Sequence, residues 1–149
     1  MTKLDDALQG VQRLGVDTAP VIYFIEANPR YDALVTEIFQ RISSGVLDGL
    51  CSVITLTEVL VQPLRHGDHK VARDYTDLLL HSRHFATVSI DSAIATTAGD
   101  LRARYNLRTP DALQIAAALE NGCQAFLTND ITHRRVTEIR ILVLDELEL

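Results

Sequence analysis

Lysine is nearly missing from this chain: Lys3 and Lys70 are the only two in 149 residues, and neither follows a strand-like apolar run. A receiver-type signalling domain, which needs a lysine beyond a late strand, is thereby disfavoured. Cysteine is equally sparse. Cys51 and Cys123 lie in apolar, strand-like contexts with no His or Cys at ligand spacing, so two buried thiols are expected, and neither a zinc module nor a disulfide framework. Long apolar runs are absent too. Stretches such as Leu50 to Leu56 fall far below the roughly 18 residues that a membrane span requires. Asp5 and Asp6 stand where an export signal needs its apolar core, so a cytoplasmic protein without membrane contact is expected. No repeat or low-complexity segment interrupts the chain.

With 47% hydrophobic residues, the length suits one domain with a substantial core. The net charge of −6 argues against a generic basic coat for nucleic acid. Positive charge is uneven, however. Residues 1–62 hold four basic side chains and the remainder ten, among them Arg108, Arg134 and Arg135, which could meet a phosphate backbone locally or be ordinary solvated arginines.

Periodicity predicts alternating strands and helices. A short helix over Leu4 to Val11, with Thr2 and Asp5 as a capping box, precedes a strand from Val11 to Val16. Helices follow from Pro20 and over Tyr31 to Ile42, the latter stopped by Ser44-Gly45. Leu50 to Thr55 reads as a second strand, leading into a helix from near Thr55 that Pro63 and Gly67 break. Asp68 to Arg83 is helical, Phe85 to Ile90 a third strand, and Asp91 caps a helix running to about Tyr105. Thr109-Pro110 opens the most hydrophobic helix, closed by Asn121-Gly122. Ala125 to Thr128 and Ile141 to Leu144 complete five strands. Such alternation favours a parallel sheet covered by helices on both faces.

Four acids stand where apolar runs give way to turns or new helices: Asp17, Glu58, Asp111 and Asp130. In a parallel sheet these ends face one crevice, where ligands bind. Gathered there, the carboxylates repel one another unless protons or a cation neutralise them, which makes a candidate site for a hard divalent metal and points toward phosphodiester chemistry. Each acid also has a structural explanation. Asp17 suits a turn or cap, Glu58 a capping box with Thr55, Asp111 the dipole of a first helical turn, and Asp130 a tight turn. Their joint placement is what those explanations leave out. An aspartate-nucleophile phosphatase would want a second aspartate two positions after Asp17, and position 19 is Ala19. His66, His69, His81, His84 and His133 form no catalytic order with a serine or cysteine and are expected at the surface or at helix ends. The acidic tail, Asp145, Glu146 and Glu148, is expected to be exposed.

The segments Val16 to Tyr23, Thr55 to Leu60, Thr109 to Ala116 and Leu127 to Asp130, in that order and spacing, resemble the PIN domain, particularly VapC-type toxins, over residues 11–145. That resemblance implies an α/β/α sandwich around a mainly parallel sheet, with residues 1–149 as one PIN-like domain and residues 1–10 as a short N-terminal helical extension. It also implies a ribonuclease dependent on Mg²⁺ or Mn²⁺, a homodimer, an RNA substrate and an antitoxin partner. The family's acidic quartet, catalytic and metal-binding, falls on Asp17, Glu58, Asp111 and Asp130, with Thr128 or Asn129 assisting. Asp17 and Asp111 would hold the principal ion, and Glu58 and Asp130 a second ion or a water. Arg108, Arg134 and Arg135 become candidate RNA contacts. Two departures stand out: His133 occupies a position where these toxins often carry phenylalanine, and the segment from Met1 to Gln9 is longer than in a minimal member. An RNA-processing nuclease of the same fold without an antitoxin, or a catalytically silent binding module, would share most of these features.

Overall fold

Residues 1–149 are described by a computed structural model in which successive strand residues face two different apolar environments. Two short strands, β1 (Thr2–Lys3) and β7 (Leu147–Glu148), pair in parallel at one edge of the molecule. The main sheet comprises β2 (Arg13–Val16), β3 (Asp48–Ser52), β4 (Phe85–Val88), β5 (Ala125–Thr128) and β6 (Arg140–Val143). Its order is β4-β3-β2-β5-β6, and every pairing is parallel. Leu14, Val16, Cys51, Ala125 and Leu127 bury on one face of it, Leu50 and Phe126 on the other. That alternation is the period of two that a pleated strand imposes.

The first face is covered by α1 (Leu4–Ala7), α2 (Thr18–Ile25), α3 (Asp32–Ser43) and α5 (His69–His81), with Val59 of α4 (Val53–Arg65) joining them. The second face is covered by α6 (Ser92–Tyr105) and α7 (Thr109–Glu120). The result is the three-layer α/β/α sandwich that the motif order implied. No helix is long and apolar enough to cross a membrane. Both cysteines are buried free thiols, and burial pushes Cys51 up to about 11 and Cys123 up to about 12.

The chain leaves β2 toward β3 and β4, then returns to lay β5 against the opposite side of β2. Strand order therefore reverses between β2 and β5, and the crevice beyond their carboxyl ends is where parallel α/β sheets take ligands. Close helix contact at this point depends on Gly15. A Cβ built there would lie 2.6 Å from the Ala118 Cβ of α7 and 2.9 Å from the Phe126 ring.

Several local expectations need correction. The N-terminal helix is one turn long, its cap residue is Lys3 without a side-chain bond, and Thr2 belongs to β1. The helix expected near Thr55 begins at Val53, because the Ser52 hydroxyl accepts from the Ile54 amide and ends the strand early. Thr55 and Glu58 consequently form no capping box. Pro63 sits inside α4 and the helix continues to Arg65, stopping only at His66-Gly67. The acidic tail is largely exposed, as expected, and it is also paired: Asp145 accepts from the Tyr31 hydroxyl at 2.6 Å and pairs with Arg30, Glu146 pairs with Arg134, and Glu148 with Lys3.

Gly15→Ala is expected to lower stability by about 1–3 kcal/mol through overpacking against Ala118. Gly99→Ala, inside α6 with nothing within 4 Å of the added methyl, is expected to raise it by about 0.5–1 kcal/mol. Denaturant unfolding of the two variants checks both signs.

Candidate metal centre

Asp17 follows the last residue of β2 and caps α2 in an extended conformation. Its Oδ1 accepts from the Thr18 amide at 2.9 Å, and its Oδ2 from the Thr128 hydroxyl at 2.8 Å. Thr128 ends β5 on the neighbouring strand, and its oxygen also accepts from the Asp130 amide at 3.0 Å. One hydroxyl thus ties the Asp17 carboxylate to the backbone of Asp130 across the switch point. Asp130 in turn caps a 3₁₀ turn over Ile131–Arg135, accepting from the Thr132 amide and hydroxyl at 2.9 and 2.7 Å. Asp111 enters from the opposite layer, in the first turn of α7.

That 3₁₀ turn swings His133 back among the acids. Expected at the surface, it is 1% exposed, and its ring lies against Phe126 with centroids 6.2 Å apart. The Nδ1 stands 3.6 Å from Asp17 Oδ2, and the Nε2 3.7 Å from both Asp111 Oδ1 and Asp130 Oδ2. These spacings are too long for hydrogen bonds, and neither ring nitrogen has a partner. A buried unsatisfied polar atom ordinarily costs about 1–3 kcal/mol. The signal in the sequence was the replacement of phenylalanine, a residue type that buries readily, at a position three after a site acid.

Charge follows from this packing. Burial raises the Asp17 carboxyl above its ordinary value, outweighing the Thr128 hydrogen bond and the attraction of His133. Contact with His133 is the largest influence on Asp111 and lowers it, with Arg108 adding to the effect and burial opposing it. The Thr132 hydroxyl chiefly lowers Asp130. For His133 burial alone would depress the imidazole, but Asp111, Asp17 and Asp130 together outweigh it and raise the value.

Glu58 stands beside this group, held by Thr18, whose hydroxyl donates to Oε1 at 2.6 Å. Behind Thr18 lies a buried polar network. Ser52 donates to Gln114 Oε1 at 2.6 Å, and Gln114 Nε2 donates to Thr55 at 2.5 Å and to Thr18 at 3.1 Å. Thr55 and Thr18 are 3.0 Å apart, and with every donor assigned, the Thr55 hydroxyl donates to Thr18. Ser52 and Gln114 escaped the sequence reading. A lone glutamine among the alanines of α7 was the available signal.

The remaining candidates are distributed unevenly. Arg108, with a side chain 77% exposed, reaches Asp111 from Nε at 3.0 Å and Nη2 at 3.4 Å, and is attracted by Glu58 and Asp130 as well. Arg134 is paired with Glu146, and Arg135 donates to the carbonyls of Tyr105 and Asn106. Asn129 turns away from the acids: its amide donates to the hydroxyls of Tyr31 and Tyr23, and its carbonyl accepts from the Asp145 amide. The structure therefore gathers Asp17, Asp111 and Asp130 around His133, with Glu58 and Arg108 adjoining. One oxygen each from Asp111 and Asp130 and one His133 nitrogen all lie within 4.8 Å of one another. Hard oxygen donors around an unpartnered buried nitrogen suit a divalent cation.

Among solved structures, the fold is similar to VapBC2 from Rickettsia felis bound to a DNA fragment from their promoter, at 16% identity over 88% of this chain and 98% of that one, with a TM-score of 0.69. It is similar to DNA-bound VapBC from Salmonella typhimurium, at 19% identity, 90% and 98% coverage and a TM-score of 0.68. VapC20 of Mycobacterium tuberculosis, a sarcin-ricin loop cleaving toxin, is similar at 16% identity, 86% and 98% coverage and a TM-score of 0.65. No curated protein matches the sequence. The sequence pattern of the PIN domain matches residues 15–139, a span that holds all four carboxylates and His133, and the chain belongs to the PIN domain family.

Proposed function

We propose that this PIN-domain protein is a metal-dependent endoribonuclease and the toxin of a toxin–antitoxin pair. The observation that carries the reading is the convergence of Asp17, Asp111 and Asp130 on one buried imidazole beyond the ends of β2 and β5. The toxin assignment draws on the similar folds, which include a toxin–antitoxin complex and a toxin that cleaves the sarcin-ricin loop. It brings with it an RNA substrate, an antitoxin protein and a homodimer.

Asp17 and Asp111 are the proposed ligands of a principal Mg²⁺ or Mn²⁺, with Glu58 and Asp130 serving a second ion or orienting a water. A cation held there supplies a more acidic bound water and neutralises charge on the scissile phosphate. The protein's own part is positional. Thr128 and the Thr18 amide fix both oxygens of Asp17, and the Thr18 hydroxyl, backed by Thr55 and Gln114, fixes Glu58. Arg108 reaches Asp111 on an exposed side chain, so it is the arginine best placed to exchange Asp111 for phosphate oxygens. Arg134 and Arg135 are engaged within the chain and enter RNA contact only by giving up those partners. No side-chain nucleophile is required.

Asp111→Asn is expected to reduce Mg²⁺-dependent cleavage of labelled RNA by roughly 10²–10³-fold or more, since a metal ligand carries several kcal/mol of transition-state stabilisation. EDTA is expected to abolish cleavage by the wild type. Retained activity in a natively folded Asp111→Asn protein refutes the reading.

Asp17 yields a stability prediction of opposite sign. Its carboxyl is raised on folding, so the metal-free protein loses stability as pH climbs from the ordinary carboxylate range through the raised value, and the loss is complete above it. Asp17→Asn removes that penalty. The metal-free variant is therefore expected to melt above wild type at pH 7–8, by roughly 2–4 °C per kcal/mol relieved. The gap should close below about pH 4, where the unfolded chain also protonates. Added Mg²⁺ is expected to raise the melting temperature of wild type alone. Calorimetric scans across pH, with and without Mg²⁺, check all three statements.

A further inference from the structure

We infer that His133 is a nitrogen ligand of the cation in this centre, and that it tilts the site toward ions that accept imidazole, Mn²⁺ and Co²⁺, over Mg²⁺. The inference rests on the metal-dependent reading above and extends it to the identity of the ion.

Spacing is the first argument. Two ligand atoms that share an ion at about 2.1 Å lie about 3.0 Å apart at right angles and about 4.2 Å apart when opposed. The Nε2 of His133 is 3.7 Å from Asp111 Oδ1 and 3.7 Å from Asp130 Oδ2, inside that range and outside hydrogen-bonding distance. Burial is the second. A side chain placed only to fill this space would be better apolar, whereas His133 brings two nitrogens that find no partner in the protein.

Orientation is the third. Metal-bound histidines commonly turn their other ring nitrogen toward a carboxylate, which sets the tautomer. Here the Nδ1 faces Asp17 Oδ2 at 3.6 Å while the Nε2 faces Asp111 and Asp130, the two carboxylates with which it would share an ion. The imidazole is also held in place. Its backbone amide donates to the Asp130 carbonyl, its carbonyl accepts from the Val136 amide, and its ring lies against Phe126. Mg²⁺ prefers oxygen and gives up water reluctantly, whereas imidazole suits transition metals, whose affinity for nitrogen rises above that of Mn²⁺ along the series toward copper. A fixed imidazole among three carboxylates therefore discriminates among ions that the carboxylates alone would treat more evenly.

The test uses the full metal-free chain, titrated calorimetrically with MnCl₂ and with MgCl₂. Wild type is expected to bind Mn²⁺ at least about tenfold tighter than Mg²⁺. His133→Phe is expected to weaken Mn²⁺ binding by roughly 10–100-fold and to change Mg²⁺ binding by less than about threefold. A variant that keeps the wild-type ratio of the two affinities overturns the inference and leaves the metal-dependent reading standing. A second measurement needs no variant: pulsed electron paramagnetic resonance of wild type loaded with substoichiometric Mn²⁺ is expected to show coupling to a directly bound ¹⁴N. Its absence overturns the inference, and it decides the matter if His133→Phe does not fold. Failure of wild type to bind either ion, or unchanged binding in Asp111→Asn, refutes the metal-dependent reading and the inference together.

Discussion

Repulsion among carboxylates confined beyond the ends of β2 and β5 is the constraint around which this molecule is organised. Asp17 is nearly enclosed, its side chain 14% exposed, and Asp111 and Asp130 approach the same imidazole. Nothing in the hydrophobic core requires these charges. Their cost is offset locally by the Thr128 hydroxyl, by His133 at the centre and by Arg108 at the rim. A site arranged in this way is held against its own electrostatics by the rest of the fold, as functional sites commonly are.

The restraint comes from packing on both faces. Because Gly15 carries no side chain, Ala118 and the whole of α7 lie directly on β2, and α7 bears Asp111 in its first turn and Gln114 one turn later. Gln114 then bonds to Ser52, Thr55 and Thr18, coupling α7 to the starts of α4 and α2 through a network in which every hydroxyl has a partner. Satisfied polar networks of this kind specify geometry more than they add stability. The position of Glu58 follows from that specification, since its partner Thr18 is itself bonded twice from behind.

Much of this was legible in the residues. Strand and helix order followed from hydrophobic period, and β5 fell on Ala125–Thr128 as expected because both its faces are buried and a turn follows at once. The helix over Asp32–Ser43 was equally plain, since one face of it buries Leu34, Val35, Ile38, Phe39 and Ile42. Less visible were features decided by contacts distant in sequence. The β1 and β7 strands are two residues each, too short for any periodicity, and exist only because they meet each other. The start of α4 was misplaced because Thr55 and Glu58 mimic a capping box while Ser52 takes the role. The burial of His133 runs against the usual exposure of histidine, and the hints to it were its place three after Asp130 and the phenylalanine it replaces.

The pairing of β2 with β5 also governs when the molecule acquires its site. Val16 and Leu127 are neighbours in the sheet although 111 residues separate them. A chain made only as far as α7 holds Asp17 without Thr128, Asp130 or His133, which all follow α7 in sequence. Non-local strand pairings of this kind slow folding. The acidic cluster therefore forms only once Thr128, Asp130 and His133 have been made and β5 has paired with β2.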